Sequence, residues 1–165
     1  MNDDETRSSS RQRVEQALRV LGMPADVVEF GVSTRTSAEA AAAIGCEVAQ
    51  IAKSIVFRGK QSDRCIVVIA SGADRIDEKK LRAEVGEGVA RAAADFVRDR
   101  TGFAIGGVAP VGHVGEVSVL VERSLLELDP VWAAAGTPNA CVRLSAADLF
   151  RLPGLRVADL RQVQA

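Results

Sequence analysis

Aromatic side chains are scarce in this 165-residue chain: it has no Tyr, one Trp and five Phe, 4% in all. Its core must therefore be built from Ala, Val, Leu and Ile, and at 47% hydrophobic it has the material for one domain. Excess charge is missing too, since 21 Lys and Arg face 22 Asp and Glu for a net charge of −1. That excludes a general polyanion binder gripping a long phosphate backbone, but not a protein holding only the end of an RNA. His113 is the only histidine, and the three cysteines, Cys46, Cys65 and Cys141, stand far apart with no CxxC pair. Neither a structural zinc site nor a disulfide framework is expected on that count, nor any other metal or cofactor. The thiols read as small buried or half-buried hydrophobes in a reducing cytoplasm.

Long apolar runs are lacking as well. The longest uncharged stretch, Thr101 to Gly115, contains five glycines and a proline, and falls short of the about 20 apolar residues of a membrane span. Met1 to Ser10 is polar and acidic, unlike a signal peptide, and reads as a disordered, frayed tail before a single domain over residues 11–165. Neither DNA nor a membrane is expected as a partner.

What is present alternates short helices with short strands. Ser8 to Ser10 offer caps for a helix through Val14, Leu18 and Leu21, stopped at Gly22. Val27 to Val32 reads as a strand, and Ser37 to Ala43 as an alanine-rich helix ended by Gly45. Ile51 to Phe57, a polar turn and Cys65 to Ala70 read as a hairpin central to a sheet. Helices are expected at Asp77–Val85 and Asp95–Arg100, a strand at Val117–Val121, and a helical turn from Asp129 to Gly136. A last strand, Ala140–Leu144, precedes a helix capped by Ser145 and Asp148. Without regular βαβ alternation, the pattern indicates an α+β domain with a mixed sheet.

Several segments could carry chemistry. Lys53 stands at the start of an apolar strand. It is either a lysine snorkelling to water or a cation aimed into a cleft at a carbonyl or phosphate oxygen. The run Thr101 to Gly112 pairs Gly106 and Gly107 ahead of Pro110. It matches neither a P-loop nor a dinucleotide fingerprint, so it is either a tight connection or a loop presenting bare backbone to a ribose or ester. His113 follows directly and invites a general-base role, yet no Ser-His-Asp or Cys-His set can be assembled around it. The charged run Asp74 to Glu84 reads as a solvated helix face. The small-residue turn Ala134 to Pro138 is either a packing device or the floor of a tight pocket.

Taken in order, these segments resemble the YbaK/prolyl-tRNA-synthetase-associated editing domain. The likeness runs through Ala38-Glu39-Ala40-Ala41, Ile44-Gly45 and Gln50-Ile51 with Lys53-Ser54-Ile55-Val56-Phe57. It continues through Leu81 and Gly86, Asp95, Thr101-Gly102-Phe103 and Gly106-Gly107-Val108 with Pro110 and Gly112. It closes with Gly136, Val142, Leu144-Ser145 and Asp148-Leu149. Coverage is essentially residues 27 to 152. The resemblance implies a curved, mixed, mostly antiparallel sheet surrounded by short helices. It also implies hydrolysis, in trans, of the ester joining a wrong amino acid to tRNA, with aminoacylated tRNA (its CCA end) as partner and prolyl-tRNA synthetase as a further one.

A second sieve of this kind is useful because one methylene gives a synthetase pocket only about 1–3 kcal/mol of discrimination. On this resemblance Lys53 is the catalytic residue, orienting substrate and stabilising negative charge at the terminal phosphate or the oxyanion. The loop Gly106, Gly107, Val108, Ala109 and Pro110 clasps the aminoacyl ester and terminal ribose and positions water. A ribose hydroxyl assists proton transfer, because no side-chain base is evident. Ser54 supports the site or contacts substrate, Gly136 lines the amino-acid pocket, and His113 is a further substrate-contact candidate. Ser33 to Ser37 departs from the cysteine-clearing branch, which favours alanine, 2-aminobutyrate or another small residue on proline tRNA. Two competing readings remain: a non-catalytic module that binds the aminoacyl-tRNA end or the synthetase, and a hydrolase of small acyl esters unrelated to tRNA.

Overall fold

The computed structural model describes residues 3–163. Its elements, in chain order, are α1 (Asp3–Val20), β1 (Val27–Glu29), α2 (Ser37–Ile44), β2 (Ile51–Gly59), β3 (Cys65–Ser71), α3 (Glu78–Val85) and β4 (Val89–Arg91). They continue with α4 (Ala94–Thr101), β5 (Ser118–Glu122), β6 (Val131–Ala134), β7 (Ala140–Leu144), α5 (Ala146–Leu149) and β8 (Arg156–Ala158). The eight strands form one sheet in the order β1-β7-β6-β2-β3-β5-β8, with β4 also paired to β2. Four pairings are antiparallel and three parallel, so the sheet is mixed with antiparallel pairs in the majority.

The continuous apolar run Cys65–Ser71 becomes the central strand because both of its faces are covered. Cys65, Val67 and Ile69 enter the larger core, with Val14 and Leu18 of α1 and Phe103. Ile66, Val68 and Ala70 enter a second core with Phe57, Leu81 and Leu160. Each fully buried Ile or Val side chain is worth about 1.5–3 kcal/mol of transfer free energy, which fixes the register of β3 against β2.

The helix α1 and the strands β4, β6 and β8 differ from the sequence expectation. The helix α1 starts at Asp3, upstream of the expected serine caps, so residues 3–10, read as a frayed tail, carry helical backbone; residues 1–2 lie outside the described residues. Ser10 is buried against the Gly136 turn, a tertiary contact that local sequence does not show. Val131–Ala134, expected in a helical turn, is a strand: it pairs with both β2 and β7, and this pairing overrides the helix preference of its alanines. The three-residue strands β4 and β8 have no apolar run to announce them.

Candidate active site

Strand β2 runs unbroken along β3 from Ala52 to Arg58, but its other edge is shared. The β6 strand covers only Ile51 and Ala52, and β4 covers only Phe57 to Gly59. The sheet therefore splits between these two partners, and a cleft of about 320 Å³ lies at the split. Its floor is Ile51 to Ile55. One wall is the approach to α2, Thr34 to Ser37, with Ala40. The opposite wall is Ile105, Gly106 and Val108 of the glycine-rich loop, and Trp132, Ala134, Thr137, Ala140 and Cys141 close the end.

Lys53 and Ser54, being neighbours on a strand, point to opposite sheet faces, and both line the cleft because they sit at the open edge. Lys53 is half-buried and its Nζ donates to the main-chain carbonyl of Asp74. Burial pulls its pKa below the usual lysine value, the Asp74 carboxylate pushes it back up, and Arg91 and Arg75 lower it further. Asp74 is itself anchored: its Oδ2 accepts from Ser124 Oγ at 2.9 Å. The Ser124 amide in turn donates at 2.8 Å to Glu122, a carboxylate buried to 1% exposure. The Ser54 hydroxyl is buried and has no hydrogen-bond partner among the described residues.

The glycine-rich loop is held from both sides. Gly106 takes φ +93°, a conformation that favours glycine, and presents bare backbone to the cleft. Gly107 packs so tightly on the β6–β7 turn that a Cβ there would stand 2.8 Å from Thr137 Cα. On the far side Arg13 of α1 donates to the Gly112 and Gly102 carbonyls and lies over the Phe103 ring.

Of the residues singled out from sequence, the structure brings Lys53, Ser54, Gly106 and Val108 together on the cleft. Gly107 backs the loop, and Ala109 and Pro110 are buried behind it. Gly136 faces α1, where a Cβ would meet Ser10 O at 2.8 Å, and its neighbours Ala134 and Thr137 line the cleft instead. His113 also lies off the cleft. Its Nε2 is 2.8 Å from the Ala109 carbonyl, its ring meets Phe103 edge-on, and burial lowers its pKa.

Sequence reasoning passed over Trp132 and Cys141, because no local signal ties them to Lys53, whereas Ile105 lies within the loop it singled out. All three cysteines are free thiols; Cys65 and Cys141 are buried, and burial raises them to about 11 and about 12.

Residues 32–152 match the aminoacyl-tRNA editing domain. The chain belongs to this family. Among the relatives of the editing domain here is the uncharacterized protein YwhH of Bacillus subtilis, 36% identical over 124 residues, covering 75% of this chain and 78% of that protein. A proline–tRNA ligase of Thermosipho melanesiensis is 28% identical over 94 residues, covering 56% of this chain and 16% of the ligase. A crystal structure of a proposed trans-editing enzyme for prolyl tRNA synthetase superposes with a TM-score of 0.85 at 43% identity, covering 93% of this chain and 98% of that one. The α+β architecture is thus that of the editing domain. No helix among the described residues is long and apolar enough to cross a membrane.

Proposed function

We propose that this protein is a trans-acting deacylase that hydrolyses the ester of a mischarged tRNA, with proline tRNA carrying alanine, 2-aminobutyrate or a similarly small residue as substrate. One observation carries the reading: Lys53 and the bare backbone of Gly106 flank one small cleft at the sheet split, in an editing-domain chain. The end of the cleft, with Ala134, Ala140 and Cys141, is small and apolar and suits a short side chain. The ligase relative and the trans-editing neighbour support proline tRNA.

In this mechanism the loop from Gly106 to Pro110 clasps the CCA end and positions a water against the ester carbonyl. Water adds to the carbonyl carbon, and the carbonyl electron pair moves to oxygen. The bond to the ribose oxygen then breaks, and that oxygen takes the proton. Lys53 supplies the cation that orients the terminal phosphate or stabilises the oxyanion, a contribution worth about 10²–10³ in rate where such groups have been removed elsewhere. Among the described residues no carboxylate or histidine lines the cleft, so a neighbouring ribose hydroxyl serves the proton transfer, and positioning provides the acceleration.

Deacylation of proline tRNA charged in turn with alanine, cysteine, serine, 2-aminobutyrate and proline tests this, with Lys53→Ala alongside. Multiple-turnover release of one small non-cognate residue, sparing proline and lost in the variant, is expected. Binding without release from any of them would replace the deacylase by a non-catalytic module. Equal cleavage of a free aminoacyl ester would point to a hydrolase unrelated to tRNA.

A further inference from the structure

Along β2 the main-chain groups alternate between the two edges. Odd-numbered residues face β3: the Gly59 amide donates to Arg64 O at 3.0 Å, and Ile51 O accepts from Gly72 N at 2.7 Å. Even-numbered residues face the split edge. There Ala52 lies in the β6 ladder, whose last pair is Ala52 with Ala133, and Val56 O accepts from Ala92 N at 3.0 Å beside the β4 ladder. Ser54 lies between them and is reached by neither ladder. Neither ladder takes up its N–H or C=O, and the residue lines the cleft, so Ser54 forms one vacant rung between two occupied ones. The same residue carries the buried hydroxyl without a partner. Main-chain donors and acceptors along a strand are paired wherever a partner can reach them, so a vacant rung on a cleft floor offers a ligand the bonds that a neighbouring strand would make.

An aminoacyl ester is suited to make them. On either side of its α-carbon it carries an ammonium donor and a carbonyl acceptor, the same donor–acceptor pair that a strand residue offers its neighbour. We propose that the aminoacyl group fills the rung: its ester carbonyl oxygen accepts from the Ser54 N–H, and its α-ammonium donates to the Ser54 carbonyl. This rests on the deacylase reading of the cleft. When water adds to the carbonyl carbon, charge moves onto the oxygen that the Ser54 amide already holds, so that bond strengthens as the transition state is approached. The rung reads the backbone of an α-amino acid and leaves its side chain to Ala134, Cys141 and Ile105. It makes an α-amino group, rather than any acyl ester, a condition of good substrates.

The test compares alanyl and lactyl esters of the same proline tRNA, which differ only in the ammonium or hydroxyl on the α-carbon. Each enzymatic rate is divided by the spontaneous rate to remove the intrinsic lability of the aminoacyl ester. The lactyl substrate should lose about tenfold or more in kcat/KM, the scale of one charge-assisted hydrogen bond. Ser54→Ala should keep that ratio, because the rung is main chain. Equal normalised rates, or a ratio that collapses in Ser54→Ala, would overturn the proposal.

A second arm uses the uniformly 15N-labelled full chain and 3′-deoxy-3′-alanylamino-adenosine, whose amide resists hydrolysis. The Ser54 amide proton should move downfield on binding, and an unmoved Ser54 would also overturn the proposal. If no charged tRNA is deacylated, this second arm still decides the rung independently of turnover.

Discussion

Arg13, midway along α1, is joined to Gly112 across 99 positions of sequence: its Nε donates to the Gly112 carbonyl at 2.8 Å. Its Nη2 reaches Gly102 O at 3.0 Å, so one guanidinium ties both shoulders of the loop that walls the cleft. The planar fork also stacks 4.6 Å from the Phe103 ring centroid. Lysine can reproduce one of these bonds but neither the fork nor the stack. Arg13→Ala should cost about 2–3 kcal/mol in denaturant unfolding, since hydrogen bonds to charged groups are lost. It should lower kcat for deacylation as the loop loosens. Arg13→Lys should restore stability in part and kcat less, and an unchanged kcat in both would show that the loop keeps its shape without α1.

The Lys53 ammonium and the Asp74 carboxylate offer a separate handle. Lys53 donates to the Asp74 main-chain carbonyl, whereas the carboxylate acts on it through charge alone. Asp74→Asn therefore keeps the hydrogen bond, retains an acceptor for Ser124 and removes only the charge. Burial, Arg91 and Arg75 all lower Lys53, and the carboxylate is the group that raises it. Without it the lysine loses its proton at lower pH. The alkaline limb of kcat/KM, corrected for spontaneous hydrolysis, should shift to lower pH in Asp74→Asn, with little change well below the limb. A limb that stays in place would mean that the charge of Lys53 does not govern it.

The strands and helices with strong local patterns were readable from sequence, and so were several residues that line the candidate cleft. The hairpin of β2 and β3, the capping of α5 by Ser145 and Asp148, and Gly102 as the end of α4 all follow from local chemistry. Lys53, Ser54 and the Gly106 loop could be named as well. What could not be read is long-range pairing. Trp132 joins Ala134 at the cleft only because Val131–Ala134 bridges β2 and β7, and alanine-rich sequence looks helical without that pairing. Gly136 carries the positive φ of a special position, φ +99°, but the contact that requires it is with Ser10, far away in sequence. A glycine signal reveals a constraint without revealing which side it faces.

Gly107 shows the cost of filling such a contact. A Cβ there would stand 2.8 Å from Thr137 Cα and 3.0 Å from Thr137 C and N, all of them backbone atoms that cannot swing aside. Gly107→Ala must push the glycine loop away from the β6–β7 turn, and Gly106 and Thr137 on either side of the cleft move apart. Overpacking of this kind costs about 1–3 kcal/mol. The variant should unfold at lower denaturant and lose more than tenfold in deacylation kcat/KM, a loss in keeping with misplaced positioning groups. Near-wild-type activity with reduced stability would confine the loop to a structural role.

Ala134 bears on which amino acid is released. It lies at the end of the cleft beside Trp132 and Cys141, on the strand that closes the split, and its side chain is half-buried. Valine at this position adds two methyl carbons to the cleft without adding charge or a hydrogen-bonding group. A larger substrate side chain should feel that change before a smaller one does, and a methylene in a pocket is worth about 1–3 kcal/mol. Ala134→Val should therefore reduce kcat/KM for 2-aminobutyryl-tRNA by about tenfold or more relative to alanyl-tRNA. Release of both should still depend on Lys53. Parallel single-turnover assays on the two charged tRNAs measure the ratio directly. A ratio equal to that of the wild type would place the side chain of the substrate elsewhere, against Ile105 or the Thr34–Ser37 wall. The same substitution series would then be moved to those positions.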